Sequence, residues 1–155
     1  MPEERIFELC VQRGWKLAVA ESCTGGLIGA RLTSVPGSSS YFLGGVIAYS
    51  NNLKKDLLKV PAVLLDSEGA VSGNVAEAMA RGVIAAMGAH CGISVTGVAG
   101  PDGGTREKPV GTVWIGIALP TSTTSRMYHF NGNREEVREQ TVTTALELFL
   151  EIAQS

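Results

Sequence analysis

Short apolar runs alternate with stretches of helical periodicity along this chain, and that alternation limits the folds open to it. Residues 3–13 carry Ile6, Phe7, Leu9, Cys10 and Val11 on one broad face and stop at Gly14, which predicts a helix. Residues 16–20 (Lys-Leu-Ala-Val-Ala) read as a short buried strand. A turn at 21–26 follows it, then a helix from about 25 to 34. Residues 41–49 are apolar with two glycines and read as a second strand, followed by a short helix at 51–58. One helical turn is expected at 61–65. Ser72 caps a longer helix with Val75, Ala76, Met79, Ala80, Val83, Ile84 and Met87 on one stripe, ended by Gly88. Strands are expected at 91–96, 112–119 and 124–130. Asn133 and Glu136 then form a capping box for the last helix. The order α β α β α α β β β α predicts an α/β fold: a mixed sheet of about five strands with helices on both faces.

A chain of 155 residues suits one domain over 1–155. The net charge of −2 gives no general attraction to nucleic acid or an anionic membrane, so an anionic ligand must be held by local groups. No apolar run is long enough for a membrane helix, and the acidic start gives no sign of a signal peptide. Three widely spaced cysteines, Cys10, Cys23 and Cys91, suggest neither a disulfide framework nor a metal site, and a reducing cytoplasm is the expected compartment. No cofactor and no metal are expected.

In such sheets, sites form where loops leave the C-terminal ends of strands. Three loops fit: 21–26, 49–54 and 96–111. The first, Glu21-Ser22-Cys23-Thr24-Gly25-Gly26, puts a hydroxyl at a strand end beside free backbone N–H groups. Two readings stay open on that loop alone. Ser22 is a nucleophile whose oxyanion product needs donors, or Ser22 or Thr24 simply caps the next helix. The dinucleotide fingerprint, the P-loop and the nucleophile elbow are all absent by spacing. A serine nucleophile needs a base. His90 and His129 lie in or beside predicted strands rather than on a candidate loop. Lys54 stands on the first turn of a helix at the second strand end, where the helix N-terminus and burial both disfavour the ammonium. The other reading of Lys54 is a solvated surface residue like Lys55 and Lys59. The third loop contains Gly100, Gly103, Gly104, Arg106 and Lys108. Its successive N–H groups and two cations suit an anion better than a plain connection. Arg134 and Arg138 lie one turn apart on the last helix. Arg138 is expected to pair with Glu135 and Glu139 on a solvated face, and Arg134 is left open between that role and a phosphate clamp.

Six blocks then occur in one order along nearly the whole chain. They are Ala20–Gly26, Tyr49-Ser50-Asn51 with Lys54, Gly69–Ser72, Thr96–Gly104, Lys108–Val113 and Phe130–Arg134. Together they resemble the CinA C-terminal domain family. The resemblance implies a three-layer α/β/α sandwich that forms a homodimer. It also implies a nicotinamide-nucleotide amidohydrolase of pyridine nucleotide recycling, converting nicotinamide mononucleotide to nicotinate mononucleotide and ammonia. Many members carry a larger molybdopterin-binding-like domain ahead of this one, and the chain is expected to resemble the stand-alone enzyme. By the same resemblance Ser22 attacks the carboxamide and Lys54 takes its proton. Backbone N–H groups near Thr24 and Gly25 hold the oxyanion, and Tyr49 or Thr96 hydrogen-bonds the lysine or the amide. The phosphate lies along 100–108 or against Arg134, Gly26 belongs to the substrate loop, and Glu21, placed with the substrate-binding residues, either orients Lys54 or only stabilises the turn. The alternatives are a non-catalytic nucleotide- or partner-binding module, in which Ser22 is only a cap, and a metal-dependent deamidase, for which no ligand spacing is present.

Overall fold

A computed structural model describes residues 1–155. The elements run α1 (Pro2–Arg13), β1 (Leu17–Glu21), α2 (Leu27–Thr33), a 3-10 turn (Ser38–Ser40), β2 (Phe42–Ile47), α3 (Asn51–Leu58), α4 (Ala62–Glu68), α5 (Gly73–Met87), β3 (Cys91–Gly97), β4 (Thr112–Leu119), β5 (Ser122–His129) and α6 (Arg134–Gln154). Every expected strand and helix is present. The boundaries differ where the chain is bent by its neighbours. The second strand is shorter than 41–49, because Ala48 and Tyr49 turn away to deliver the chain to α3. The single turn expected at 61–65 is a full helix, α4, closed by Gly69. The last hairpin is tighter than expected: Pro120 and Thr121 alone connect β4 to β5.

The strands lie in the order β2-β1-β3-β4-β5. β1 runs parallel to both β2 and β3, and β4 and β5 complete the sheet as an antiparallel hairpin. β1 is therefore an interior strand, flanked on both sides, and is buried along its whole length. The two faces of the sheet differ in residue size. Leu17, Val19, Ile93, Val95, Ile115 and Ile117 are buried on one face with residues of α1, α2 and α6 in a single large core. The other face presents Ala18, Ala20, Gly92, Ser94, Gly116 and Ala118, alternating with the first set as β-structure requires. Small residues there let α5 lie almost on the strands. A Cβ at Gly92 would come within 2.5 Å of the Ala80 carbonyl oxygen, and one at Gly116 within 2.5 Å of that of Ala76. Ser94 Oγ donates to the same Ala76 carbonyl at 2.5 Å. Helices on both faces make this a three-layer α/β/α sandwich. No helix is long and apolar enough to cross a membrane.

This topology brings the C-terminal ends of β2, β1 and β3 side by side. Ser22 N–H donates to the Val95 carbonyl at 3.1 Å, and Ala48 N–H donates to the Glu21 carbonyl at 2.8 Å. The chain segments leaving the three strands are thus tied together just before they diverge.

Candidate active site

The site is built on the first of those loops. Glu21 is the last residue of β1 and is 2 % exposed. Its Oε1 accepts from Thr24 Oγ1 at 2.5 Å, from Gly26 N–H at 3.2 Å and from Ile28 N–H at 2.9 Å, and its Oε2 accepts from Gly29 N–H at 3.0 Å. This carboxylate caps α2, taking donors that a helix start leaves unpaired and placing negative charge at the positive end of the helix. Neither expected cap is used that way. Ser22 Oγ faces Lys54, and Thr24 spends its hydroxyl on Glu21. Glu21→Gln would turn one acceptor into an amide donor facing backbone N–H groups. It should cost about 2 kcal/mol, read as a lower denaturant midpoint at unchanged slope. A change under about 0.5 kcal/mol would remove Glu21 from this role.

Ser50 caps α3 by accepting from Leu53 N–H at 3.2 Å. This sets the helix so that Lys54, one turn in, points back under the loop. Lys54 is 1 % exposed, so the solvated reading does not hold. Its Nζ lies 2.9 Å from Ser22 Oγ, 2.8 Å from the Ala48 carbonyl oxygen and 3.2 Å from that of Tyr49. Burial pushes its pKa down to about 8, opposed by the nearby Cys23. The three contacts explain what the neutral amine does. Its two N–H bonds satisfy the two carbonyls, and its lone pair is left facing the serine hydroxyl. Burial pushes the neighbouring Cys23 thiol up to about 12, so it stays protonated and is no competing nucleophile.

Ser22, Lys54, Tyr49, Thr96 and Arg134 line one cleft of about 270 Å³, joined by Cys23, Asn51, Ala70 and Val71. Four of the five had been singled out as catalytic and Arg134 as substrate-binding. Thr96 does not reach the lysine: its Oγ1 donates to the Ala70 carbonyl at 2.9 Å and fixes the cleft wall. The Tyr49 ring is exposed, and Tyr49 serves Lys54 through its backbone carbonyl. Arg134 donates to the Gly100 carbonyl at 2.7 Å and to Tyr49 Oη at 3.4 Å, which leaves its guanidinium at the rim.

Other expected contacts are not at the cleft. Glu21, Thr24, Gly25 and Gly26 build the turn behind Ser22. Gly100 reaches the site only through its carbonyl, held by Arg134. Gly103, Gly104 and Arg106 are exposed on the third loop, outside the cleft lining. Lys108 folds onto the Glu68 carbonyl at 2.5 Å and borders a separate, larger groove of about 530 Å³ with Trp114 and Glu77. That groove shares Val71 with the cleft but contains neither Ser22 nor Lys54. The reason for the displacement is at the loop base. Val98 N–H donates to the Thr112 carbonyl, and Gly111 N–H donates to the Val98 carbonyl, which carries the tip away from β1. His90 precedes β3 at the opposite end of the sheet, and His129 ends the edge strand β5. No three His, Cys, Asp or Glu side chains come together in a way that would hold a metal ion.

Arg138 departs from expectation. It pairs with neither Glu135 nor Glu139. Its Nε donates to the Cys23 carbonyl at 3.0 Å and its Nη2 to the Thr24 carbonyl at 3.1 Å. The sequence held one signal for this, the one-turn spacing from Arg134, which puts both arginines on the same side of α6. The loop N–H groups also sort themselves. Gly25 N–H is used by the Ser22 carbonyl at 3.2 Å, whereas Cys23 and Thr24 N–H have no acceptor within the protein. Of the two, Thr24 is fully buried, and Cys23 alone lines the cleft beside Ser22.

A three-layer domain with a buried lysine against a serine at adjacent strand ends defines a small class of α/β proteins with a serine–lysine pair. Residues 1–153 match the model of the CinA C-terminal domain, and the chain belongs to that family. It is 54% identical over 143 residues to a CinA-like protein of Desulfotalea psychrophila, covering 92% of this chain and 35% of that protein. It is 47% identical over 148 residues to a putative competence-damage inducible protein of Desulforudis audaxviator, covering 96% and 36%. The chain thus spans about a third of the length of these curated relatives. Among solved structures, the competence/damage inducible protein CihA from Agrobacterium tumefaciens superposes with a TM-score of 0.94 at 38% identity, covering 99% of this chain and 94% of that one. The competence damage-inducible protein A from Klebsiella pneumoniae superposes with a TM-score of 0.93 at 34% identity, covering 97% and 93%.

Proposed function

We propose that the domain is an amidohydrolase that deamidates nicotinamide mononucleotide with Ser22 as nucleophile and Lys54 as base. The observation that carries this reading is the 2.9 Å contact between Lys54 Nζ and Ser22 Oγ, with two carbonyls occupying the amine's other directions. Ser22 O–H donates to the neutral amine, and Oγ bonds to the carboxamide carbon as the proton passes to Nζ. The oxyanion accepts from the Cys23 N–H, the unpaired loop donor that borders the cleft. Lys54 returns the proton to the amide nitrogen, the C–N bond breaks and ammonia leaves. Water then attacks the acyl-serine with Lys54 again taking a proton, releasing the carboxylate and restoring Ser22.

A cleft of about 270 Å³ is at the small end of ligand sites. It suits a pyridine ring with part of its ribose, the phosphate lying at the rim where Arg134 stands. The net charge of −2 offers no broader attraction to an anion, so this arginine carries the phosphate recognition.

The test is ammonia release from nicotinamide mononucleotide by the purified chain, with nicotinamide riboside and free nicotinamide as comparison substrates. Turnover should be highest with the phosphorylated substrate and lost in Ser22→Ala. No release above blank would sink the reading, and near-normal turnover by Ser22→Ala would remove the serine from it.

A further inference from the structure

Arg138 takes no part in the steps above, yet its guanidinium is committed to the nucleophile loop. It reaches from α6 to two successive carbonyls, those of Cys23 at 3.0 Å and Thr24 at 3.1 Å. The fork divides the task between two nitrogens in fixed geometry, whereas a lysine would need both carbonyls to converge on one nitrogen. A trans peptide is planar, so its carbonyl and N–H point in opposite directions. The Cys23 carbonyl belongs to the same peptide as Thr24 N–H, and the Thr24 carbonyl to the same peptide as Gly25 N–H. The second of these N–H groups is held by the Ser22 carbonyl, and the first has no acceptor. Holding both carbonyls on α6 thus fixes the two peptides that follow Cys23, the residue of this loop that lines the cleft beside Ser22. The space around this contact is tight. Gly25 has φ 57, and a Cβ there would sit 3.3 Å from Arg138 Nη2, so a glycine lets the loop pass this close to the guanidinium.

We propose that Arg138 is a positioning residue. It fixes the Cys23–Thr24 peptide and so holds Cys23, with its unpaired N–H, beside the oxyanion formed when Ser22 attacks. The inference rests on the amidohydrolase reading, and it reaches past Ser22 and Lys54 to a residue 115 positions beyond Cys23 in sequence.

The experiment compares Arg138→Gln and Arg138→Lys with the wild type in the full chain by two readouts. The first is steady-state deamidation of nicotinamide mononucleotide. The second is the rate at which a fluorophosphonate labels Ser22. In that reaction the Oγ–P bond forms, fluoride leaves, the serine proton passes to Lys54, and the phosphonyl oxygen needs the same N–H donor. Arg138→Gln should lower kcat about 10²-fold with KM unchanged, and should lower the labelling rate by a similar factor. Arg138→Lys should fall between, since it keeps the charge and donors but puts them on one nitrogen in place of the spaced Nε and Nη2. Circular dichroism sets a temperature at which each variant is folded. If Arg138→Gln does not fold, Arg138→Lys carries the comparison. Wild-type kcat and labelling in the variants would overturn the proposal. So would a loss confined to KM, which would make Arg138 a substrate ligand, or a loss that only tracks the folded fraction. A wild type that labels but does not deamidate the nucleotide would sink the substrate reading, and the labelling ratio would still decide the role of Arg138. A wild type that does neither would sink both.

Discussion

Lys54→Met is expected to stop ammonia release while leaving a folded protein whose stability no longer rises above about pH 8. The two halves of this result have one cause. Burial holds the Lys54 pKa near 8, against an ordinary value of 10.5. At neutral pH the folded state therefore carries a charge it disfavours relative to the unfolded chain, a cost of about 3 kcal/mol. Methionine has a similar length and no charge, so this cost disappears. Against it stand the lost hydrogen bonds to the Ala48 and Tyr49 carbonyls, worth about 1 kcal/mol each. The variant should thus be about as stable as the wild type at pH 7, or slightly more stable. Between about pH 8 and 10.5 the unfolded chain holds the Lys54 proton and the folded chain does not. Wild-type stability should therefore rise relative to Lys54→Met by about 1.4 kcal/mol per pH unit across that window, and level off above it. Catalysis follows the same titration, because only the neutral amine accepts the serine proton. Wild-type kcat/KM should climb with pH and bend near pH 8, whereas Lys54→Met should lack that bend and be slower by about 10⁴-fold where the wild type levels off. Urea titrations of both proteins at several pH values, paired with ammonia assays, measure all of this. A flat pH–rate profile between pH 6 and 9 would take the base role from Lys54.

Much of this architecture was legible in the sequence because it depends on local pattern. The Ser72 and Asn133 caps, the glycine stops and the apolar periodicities are short-range, and the elements they predict are present. The convergence of Ser22, Lys54 and Thr96 was also within reach, since parallel strands must place their C-terminal ends together. What the sequence hid were contacts whose acceptors or donors are backbone atoms. Every residue carries a carbonyl, so nothing marks those of Cys23 and Thr24 as the partners of Arg138. Nothing marks the N–H groups of Ile28 and Gly29 as the partners of Glu21, whose role was open between the substrate, Lys54 and the turn and which is found capping a helix. The third loop was misplaced for a related reason. Its glycines and cations suit an anion, but its direction is set by hydrogen bonds at its base that composition does not reveal.

Gly82→Ala is the second substitution with a large expected effect, and it tests how the fold holds Lys54 in place. In an exposed helix interior, alanine would be better than glycine by about 1 kcal/mol. Gly82 lies on α5 where α3 ends, and a Cβ there would collide with the Leu58 carbonyl oxygen and come within 2.8 Å of its carbonyl carbon. The obstacle is backbone, so no rotamer change relieves it, and α3 must move as a body. Overpacking of this kind costs about 3 kcal/mol, which outweighs the propensity gain and leaves a net loss of about 2 kcal/mol. Gly29→Ala in α2 is the matched comparison. Its Cβ would meet only ordinary contacts, 3.6 Å from Glu21 Oε2 and 3.8 Å from Phe42, so it should be neutral or slightly stabilising. The consequence for activity follows from what α3 carries. Lys54 lies on that helix and is tied to Ser22, so moving α3 off α5 stretches the 2.9 Å contact that the chemistry needs. A misplacement of about 1 Å costs about 10²-fold in rate. Gly82→Ala should therefore lose far more activity at 25 °C than its unfolded fraction explains. Equal stability of the two alanine variants would show that α3 yields without cost. Full activity in Gly82→Ala would show that the seating of α3 on α5 does not set the serine–lysine distance.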